Sequence, residues 1–269
     1  MKRSAALIIF SGGQDSTICL FWARQKFDCV HALSFDYGQR HNIELEAARH
    51  IGQLAGVSSH EVLPLPSVLS STSPLVDENQ KLEEYKDFET MEATVGERVE
   101  STFVPMRNAL FLTIAANRAV CHGIYHLITG VCQADNANYP DCRETFIQAQ
   151  QKAIETALGI DCMQIHTPLL FKNKAESIQW SLTIPGAYEA LAWTHTAYDG
   201  LYPPQSRDHA SLLRAWGFEK AGLPDPLILR AWQEDKMPLP STSNYAPELV
   251  HWAVEERGVC KDQAVPSAW

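Results

Sequence analysis

Apolar residues follow two alternating rhythms through the first third of the chain. Ala5-Ala6-Leu7-Ile8-Ile9-Phe10 is an unbroken apolar run, the mark of a strand buried on both faces of a parallel sheet. Residues 16–26 then carry Ile18, Leu20, Phe21 and Ala23 before Val30-His31-Ala32-Leu33-Ser34-Phe35, a second strand. Ile43, Leu45, Ala47, Ala48, Ile51 and Leu54 outline one buried helix face, and His60 to Leu65 a third short strand. This β-α-β-α-β order predicts right-handed crossovers and an α/β sandwich around a parallel sheet. Residues 66–101 are rich in Ser, Glu, Asp and Pro and read as a surface excursion. Periodicity returns with a helix from Arg107 to Val120, a strand from Ile124 to Thr129 and a helix from Arg143 to Leu158. Beyond Pro168 the pattern is mostly helical and punctuated by prolines. The expected organisation is one α/β domain over residues 1–190, with a helical region over 191–269 packed on it.

Composition narrows the classes of function. Hydrophobic residues make up 45% of the 269, enough to build a full core, so wholesale disorder is excluded. The net charge of -10 argues against binding bare nucleic acid through a basic face, but not against a nucleotide ligand held by a few local cations. The N-terminal apolar run spans six residues and ends in Ser11-Gly12-Gly13, so it reads as a strand rather than a signal peptide. No apolar run approaches the ~20 residues that cross a bilayer. The seven cysteines are scattered without a C-x-x-C pair, which suggests neither a disulfide framework nor a zinc knuckle. A cytoplasmic location is expected.

The chemistry concentrates in Ser11-Gly12-Gly13-Gln14-Asp15-Ser16-Thr17, between the first strand and the first helix. Glycines allow close backbone approach, the helix N-terminus offers N–H groups and its positive dipole end, and the hydroxyls add donors. The segment is therefore a candidate phosphate cradle. It lacks the G-x-x-x-x-G-K-[ST] of a Walker loop, and no G-x-G-x-x-G occurs.

S-G-G-x-D-S at this place resembles the PP-loop ATP pyrophosphatases, α/β enzymes that cleave ATP to AMP and pyrophosphate while adenylating a substrate oxygen. Four further motifs resemble the QueC-type branch, the 7-cyano-7-deazaguanine synthases. They are Phe35-Asp36-Tyr37-Gly38-Gln39-Arg40-His41; Thr102 to Asn108; Thr129-Gly130-Val131 with Asp135 and Tyr139 to Arg143; and Thr167-Pro168-Leu169 leading to Lys172-Asn173-Lys174-Ala175-Glu176. The resemblance covers roughly residues 5–230. It implies that Ser11, Gly12, Gly13, Asp15, Ser16 and Thr17 hold the phosphates of ATP with Mg²⁺, and that Lys174 binds pyrophosphate. It implies 7-carboxy-7-deazaguanine as the substrate, activated as an acyl-adenylate and joined to an amine. Asp15, Ser16, Lys174 and Arg107 are the expected catalytic groups. Tyr37, Gln39, Arg40, His41, Asn108, Asp135, Tyr139, Asp141 and Arg143 are the expected substrate contacts. Cys142, with no histidine nearby in sequence, reads as a packing residue rather than a nucleophile. The family tends to form homodimers.

Two departures from the family pattern stand out. The nitrile-forming branch carries four zinc cysteines near its C-terminus, and the simplest register places Ala197, Gln205, Asp208 and Ser211 there. A thiolate zinc site is not expected. Hydrogen bonding and apolar packing are the expected substitutes, with His195, Asp208 and His209 as an alternative metal set. Residues 231–269 extend past the pattern and bear Trp232, Tyr245, Leu249, Trp252, Val254 and Trp269. They read as a helix on the same core, or as a dock for a protein partner. Three readings of function follow: a synthase using ammonia; a ligase joining the deazaguanine to a partner protein's amine, as some QueC-like proteins of antiviral operons are thought to do; and a non-catalytic nucleotide-binding scaffold.

Overall fold

A computed structural model describes residues 4–38, 43–66, 68–77, 79–134 and 137–260. Of the expected contacts, Gln39, Arg40, His41 and Asp135 lie outside these residues, as does Trp269.

Five parallel strands form one sheet in the order β3-β2-β1-β4-β5. They are β1 (Ala5–Ile9), β2 (Cys29–Asp36), β3 (Ser59–Pro64), β4 (His126–Ile128) and β5 (Gln164–His166). Central β1 pairs Leu7 with His31 and Leu127, and Ile8 with Ala32 and Ile128. Because side chains alternate along a strand, even and odd residues of β1 enter different cores. Ala6, Ile8 and Phe10 join Ile18, Leu20 and Ala23 of α1 (Gln14–Lys26) and Ala48 and Ile51 of α2 (Ile43–Leu54). Leu7 joins Leu33, Phe35 and Leu127 against Phe111, Ala115 and Ala119, on the helix numbered α4 below. The continuous apolar run is thus a strand covered on both sides.

Residues 66–101 are more than an excursion. They contain α3 (Phe88–Val95), started by Asp87, whose carboxylate accepts from Thr90 N–H at 2.8 Å. Tyr85, Met91 and Val95 are buried together with Phe88 and Leu212, and Phe88 stacks on Trp216 at 4.6 Å. The chain continues through α4 (Arg107–Cys121), α5 (Glu144–Leu158), α6 (Lys174–Ser181), α7 (Ala187–Ala190), α8 (His209–Ala221), α9 (Pro226–Gln233) and α10 (Pro247–His251). A π-helical turn, Trp252–Glu256, follows. Leu229, Val250, Ala253, Val254 and Val259 belong to the same core as α1, so the described part of the tail packs inward. No helix among the described residues is long and apolar enough to cross a membrane.

Candidate active site

The strand order turns at β1, since β2 and β4 lie on its two sides. Open α/β sheets bind ligands at such a point, beyond the carboxyl ends of the strands. Here the loops after β1 and β4 line a cleft of about 370 Å³.

The first wall is the loop from Ser11 to Ser16. Gly13 precedes α1 without a side-chain cap, and the first intrahelical bond runs from Thr17 N–H to Gly13 O, so the helix presents its N-terminal turn to the cleft. Ser16 Oγ donates to Gly13 O at 3.2 Å and accepts from Ser11 N–H at 3.3 Å. Ser11 Oγ lies 3.0 Å from Ser16 Oγ and accepts from Gly13 N–H at 3.2 Å. Gly12 has φ +86°, and a Cβ there would stand 2.4 Å from Glu44 O and 2.6 Å from Ala48 N. This glycine therefore serves the approach of α2, and neither it nor Thr17 lines the cleft. Thr17 is fully buried and its hydroxyl has no partner, which corrects its expected place in the cradle.

Lys174 enters from α6, 159 residues away, with Nζ 2.8 Å from Asp15 Oδ2. The surrounding motif explains its placement. Asn173 caps α6 by accepting from Glu176 N–H at 2.9 Å, while the Glu176 carboxylate accepts from Asn173 N–H at 2.8 Å. This reciprocal capping box fixes Lys174 as the first residue of the helix.

The second wall is aromatic and basic. Phe35 and Phe111 stack at 4.1 Å, and Tyr37 packs 5.4 Å from Phe111. Arg107 Nη1 donates to the Tyr37 hydroxyl at 3.4 Å. Tyr139 meets Thr102 Oγ1 at 2.5 Å, and Thr102 is itself held by hydrogen bonds to buried Glu100. Burial pushes the Tyr139 hydroxyl above its ordinary pKa. Arg107 follows Met106, which adopts the left-handed φ of +63°. Asn108 and Arg143 also line the cleft.

Asp141 does not line the cleft. Its Oδ2 accepts from Asn108 N–H at 3.2 Å, while Asn108 Nδ2 donates to Asp141 O at 3.2 Å. Its carboxylate serves the start of α4, and burial raises its pKa. Cys142 lines the cleft and accepts from Asn108 Nδ2 at 3.5 Å.

The third wall, which motif reading did not anticipate, brings His195, Tyr198, His209 and Arg214 to the cleft. The expected zinc-replacement region lies behind it. Asp208, 1% exposed, caps α8 by accepting from Ser211 N–H at 2.7 Å. It also accepts from Tyr198 N–H at 2.8 Å and Ser206 Oγ at 2.6 Å. Ser206 lies 3.2 Å from Ser211 Oγ. Asp199 receives the N–H groups of Gln205 and Ser206 at 2.7 Å each. The segment is closed by carboxylates and backbone donors, and this donor set does not suit a tetrahedral thiolate zinc site. His195 Nε2 lies 2.8 Å from Ala197 O, and no group of three or more His, Cys, Asp or Glu among the described residues is disposed to hold a metal.

Two further cleft residues escaped sequence reasoning. Gln14 is 3% exposed, and both amide atoms lack a partner. Glu44, half-buried in the first turn of α2, has its pKa pushed up to about 7 by burial, against the opposing charge of Arg107. The only local signal for Glu44 was an acid placed between the apolar positions Ile43 and Leu45.

The family model described as "Queuosine biosynthesis protein QueC" matches residues 5–222, well over half of the chain. The chain belongs to the QueC family. It is 45% identical over 243 residues to a 7-cyano-7-deazaguanine synthase of Gloeobacter violaceus, covering 89% of this chain and 99% of the relative. A synthase of the same name from Laribacter hongkongensis is 45% identical over 227 residues, or 84% of this chain and 94% of its own. Among solved structures, a 4-thiouridine synthetase–RNA complex with bound ATP aligns over 87% of this chain and 53% of its own, at 17% identity and a TM-score of 0.42. In the QueC-family chain the described residues of the five motifs lie at the sheet's carboxyl edge or on the elements that position it.

Proposed function

We propose that this QueC-family protein is an ATP-dependent enzyme that adenylates the carboxylate of 7-carboxy-7-deazaguanine and joins it to ammonia, giving the amide and then the nitrile. The observation that carries the reading is the meeting of Lys174 and Asp15 at 2.8 Å over the Ser11–Ser16 loop, at the point where the sheet turns. Ser11, Gly13, Asp15, Ser16 and the first turn of α1 receive the phosphate chain, and Lys174 offsets its charge. Arg107, Asn108 and Arg143 supply cations and donors for the substrate carboxylate. Tyr37 and Tyr139 flank an aromatic wall suited to a fused-ring base.

The Asp15 carboxylate and the phosphate oxygens form the hard-oxygen donor set that Mg²⁺ takes. The ion supplies neutralisation of phosphate charge. The protein's own part is to orient carboxylate and α-phosphate in line, to keep Lys174 charged beside the leaving pyrophosphate, and to exclude water. The α-phosphorus gains the carboxylate oxygen and loses pyrophosphate. The acyl carbon then gains the amine nitrogen and loses AMP, giving the amide. For the nitrile, the amide oxygen takes the α-phosphorus of a second ATP, pyrophosphate leaves, and the C–O bond then breaks so that AMP departs with that oxygen while nitrogen sheds its two protons.

The test is incubation with ATP, Mg²⁺, the carboxylate and ammonium, followed by assay of pyrophosphate and product mass. Carboxylate-dependent pyrophosphate release with a free amide or nitrile is expected. Tight ATP binding without release overturns the catalytic reading in favour of a scaffold. Release that yields product only on a partner protein's amine overturns ammonia as the acceptor.

A further inference from the structure

Joining an amine to an acyl-adenylate liberates a proton, and the groups discussed so far leave it without a destination. Lys174 is paired with Asp15, Arg107 is permanently cationic, and Tyr37 and Tyr139 hold their protons tightly because burial raises both. His195 is 3% exposed, engages Ala197 O through Nε2 and is pushed by burial toward its neutral, weakly basic form. The acids lining the cleft among the described residues are Asp15 and Glu44.

We propose that Glu44 is the general base of the amine-transfer step, resting on the adenylation chemistry proposed above. Three observations support it. Glu44 lines the cleft, and its own backbone carbonyl abuts Gly12, so its helix is seated directly against the phosphate loop. Among the described residues no lysine pairs with it, in contrast to Asp15, and the charged and titratable groups that face it are Arg107 from α4 and Tyr37 from the end of β2. Burial outweighs Arg107 and holds the carboxyl near pH 7, where a base accepts a proton readily and later returns it to water. The step balances: ammonia's nitrogen bonds to the acyl carbon, the acyl C–O bond to phosphate breaks, AMP leaves with that electron pair, and the proton shed by nitrogen passes to the Glu44 carboxylate.

The experiment compares two nucleophiles in Glu44→Gln and wild type. Ammonia bonded to carbon must shed a proton to give the amide. Hydroxylamine is neutral at pH 7; its adduct also sheds a proton, but its nitrogen is so much less basic that water takes the proton without an enzymic base. Amide formation in Glu44→Gln should fall at least ~100-fold, while hydroxamate formation falls less than ~3-fold. At a fixed concentration of free ammonia, the wild-type rate of amide formation should rise through an apparent pKa near 7, a limb absent from the variant. Equal losses with both nucleophiles, or an undiminished amide rate, overturn the assignment. So does a His209→Gln variant that alone removes the pH limb, since His209 also lines the cleft. Absence of carboxylate-dependent ATP–pyrophosphate exchange in wild type overturns instead the adenylation reading beneath it.

Discussion

Replacing Asp208 with alanine should destabilise the protein by about 3 kcal/mol without changing any metal requirement. The carboxylate accepts three hydrogen bonds, one of which caps α8. Losing such a cap costs about 1 kcal/mol. The Tyr198 N–H is left without its acceptor inside the segment, at about 1–3 kcal/mol. Ser206 is partly exposed and can turn to water, so it adds little. Asp208→Asn keeps one acceptor for the cap and should cost about 1 kcal/mol. Urea unfolding followed by far-UV circular dichroism reads both variants, and a shift in midpoint at constant slope identifies a stability effect. A chelator should leave the wild-type midpoint where it is, because the Asp208 carboxylate holds these loops through hydrogen bonds. Three results would refute this reasoning: an alanine variant losing less than ~1 kcal/mol, an asparagine variant as damaged as the alanine, or a chelator-sensitive wild type.

Three other predictions rest on separate contacts. Gly217→Ala places a Cβ 2.6 Å from Lys174 Cγ and 3.0 Å from its Cβ, so α6 must shift; overpacking should outweigh the alanine's helical preference by about 1 kcal/mol, and pyrophosphate release should drop about 100-fold, whereas an unimpaired rate would show that Lys174 tolerates displacement. Asp15→Ala and Ser16→Ala should each abolish carboxylate-dependent pyrophosphate release while the thermal midpoint stays within a few degrees; an unaffected rate would sink the phosphate cradle. Burial lowers the pKa of His60, His166 and His195, so the unfolded chain binds protons more readily and stability is lost as pH falls from the ordinary histidine value of 6.5 through the lowered ones. Glu44, raised to about 7, works the other way: its contribution is present at low pH and lost as pH rises through 7. The decline in thermal midpoint from pH 7.5 to 5.5 should therefore be steeper in Glu44→Gln, and a shallower one would contradict the assigned directions.

The parts of the fold legible in sequence were those whose signal is local. Ala5–Phe10 is apolar without interruption and Val30–Phe35 is broken only by His31 and Ser34, because helices cover both faces, and the observed strands coincide with them to within one or two residues. β5 was missed because Gln164–His166 is three residues long and half-exposed, and exists only through its pairing with β4. α3 was hidden by the polar run before it, although Phe88, Met91 and Val95 carry helical spacing. At the site, contiguous motifs pointed to Asp15, Ser16, Arg107 and Lys174, all of which line the cleft. Polar neighbours were harder to read: Thr17 and Asp141 stand beside ligand-facing residues yet point into the fold. A hydroxyl or carboxylate next to a functional loop can serve a backbone donor as readily as a ligand, and one chain cannot separate the two uses.

The third wall is tied to the C-terminal segment through one buried arginine. Arg214, 4% exposed, donates from Nε and Nη2 to Asp225 at 2.6 and 2.8 Å, and from Nη1 to Thr194 and Thr196 at 2.8 and 2.9 Å. Nη2 also reaches Leu191 O at 3.2 Å. Asp225 in turn caps α9 at Leu227 N–H and donates its own N–H to the Tyr245 hydroxyl at 3.3 Å. A continuous set of contacts thus runs from the C-terminal segment, through α9 and α8, to the strand of chain carrying His195 and Tyr198 into the cleft. Asp208 grips that same strand from its other end, at Tyr198 N–H. A metal clip holds its loops through four bonds at one point. Here the loops are held at two points, by Arg214 and by Asp208, and the C-terminal segment supports the first of them through Tyr245 and Asp225. The described part of the tail therefore belongs to the cleft's support, through the half-buried Tyr245.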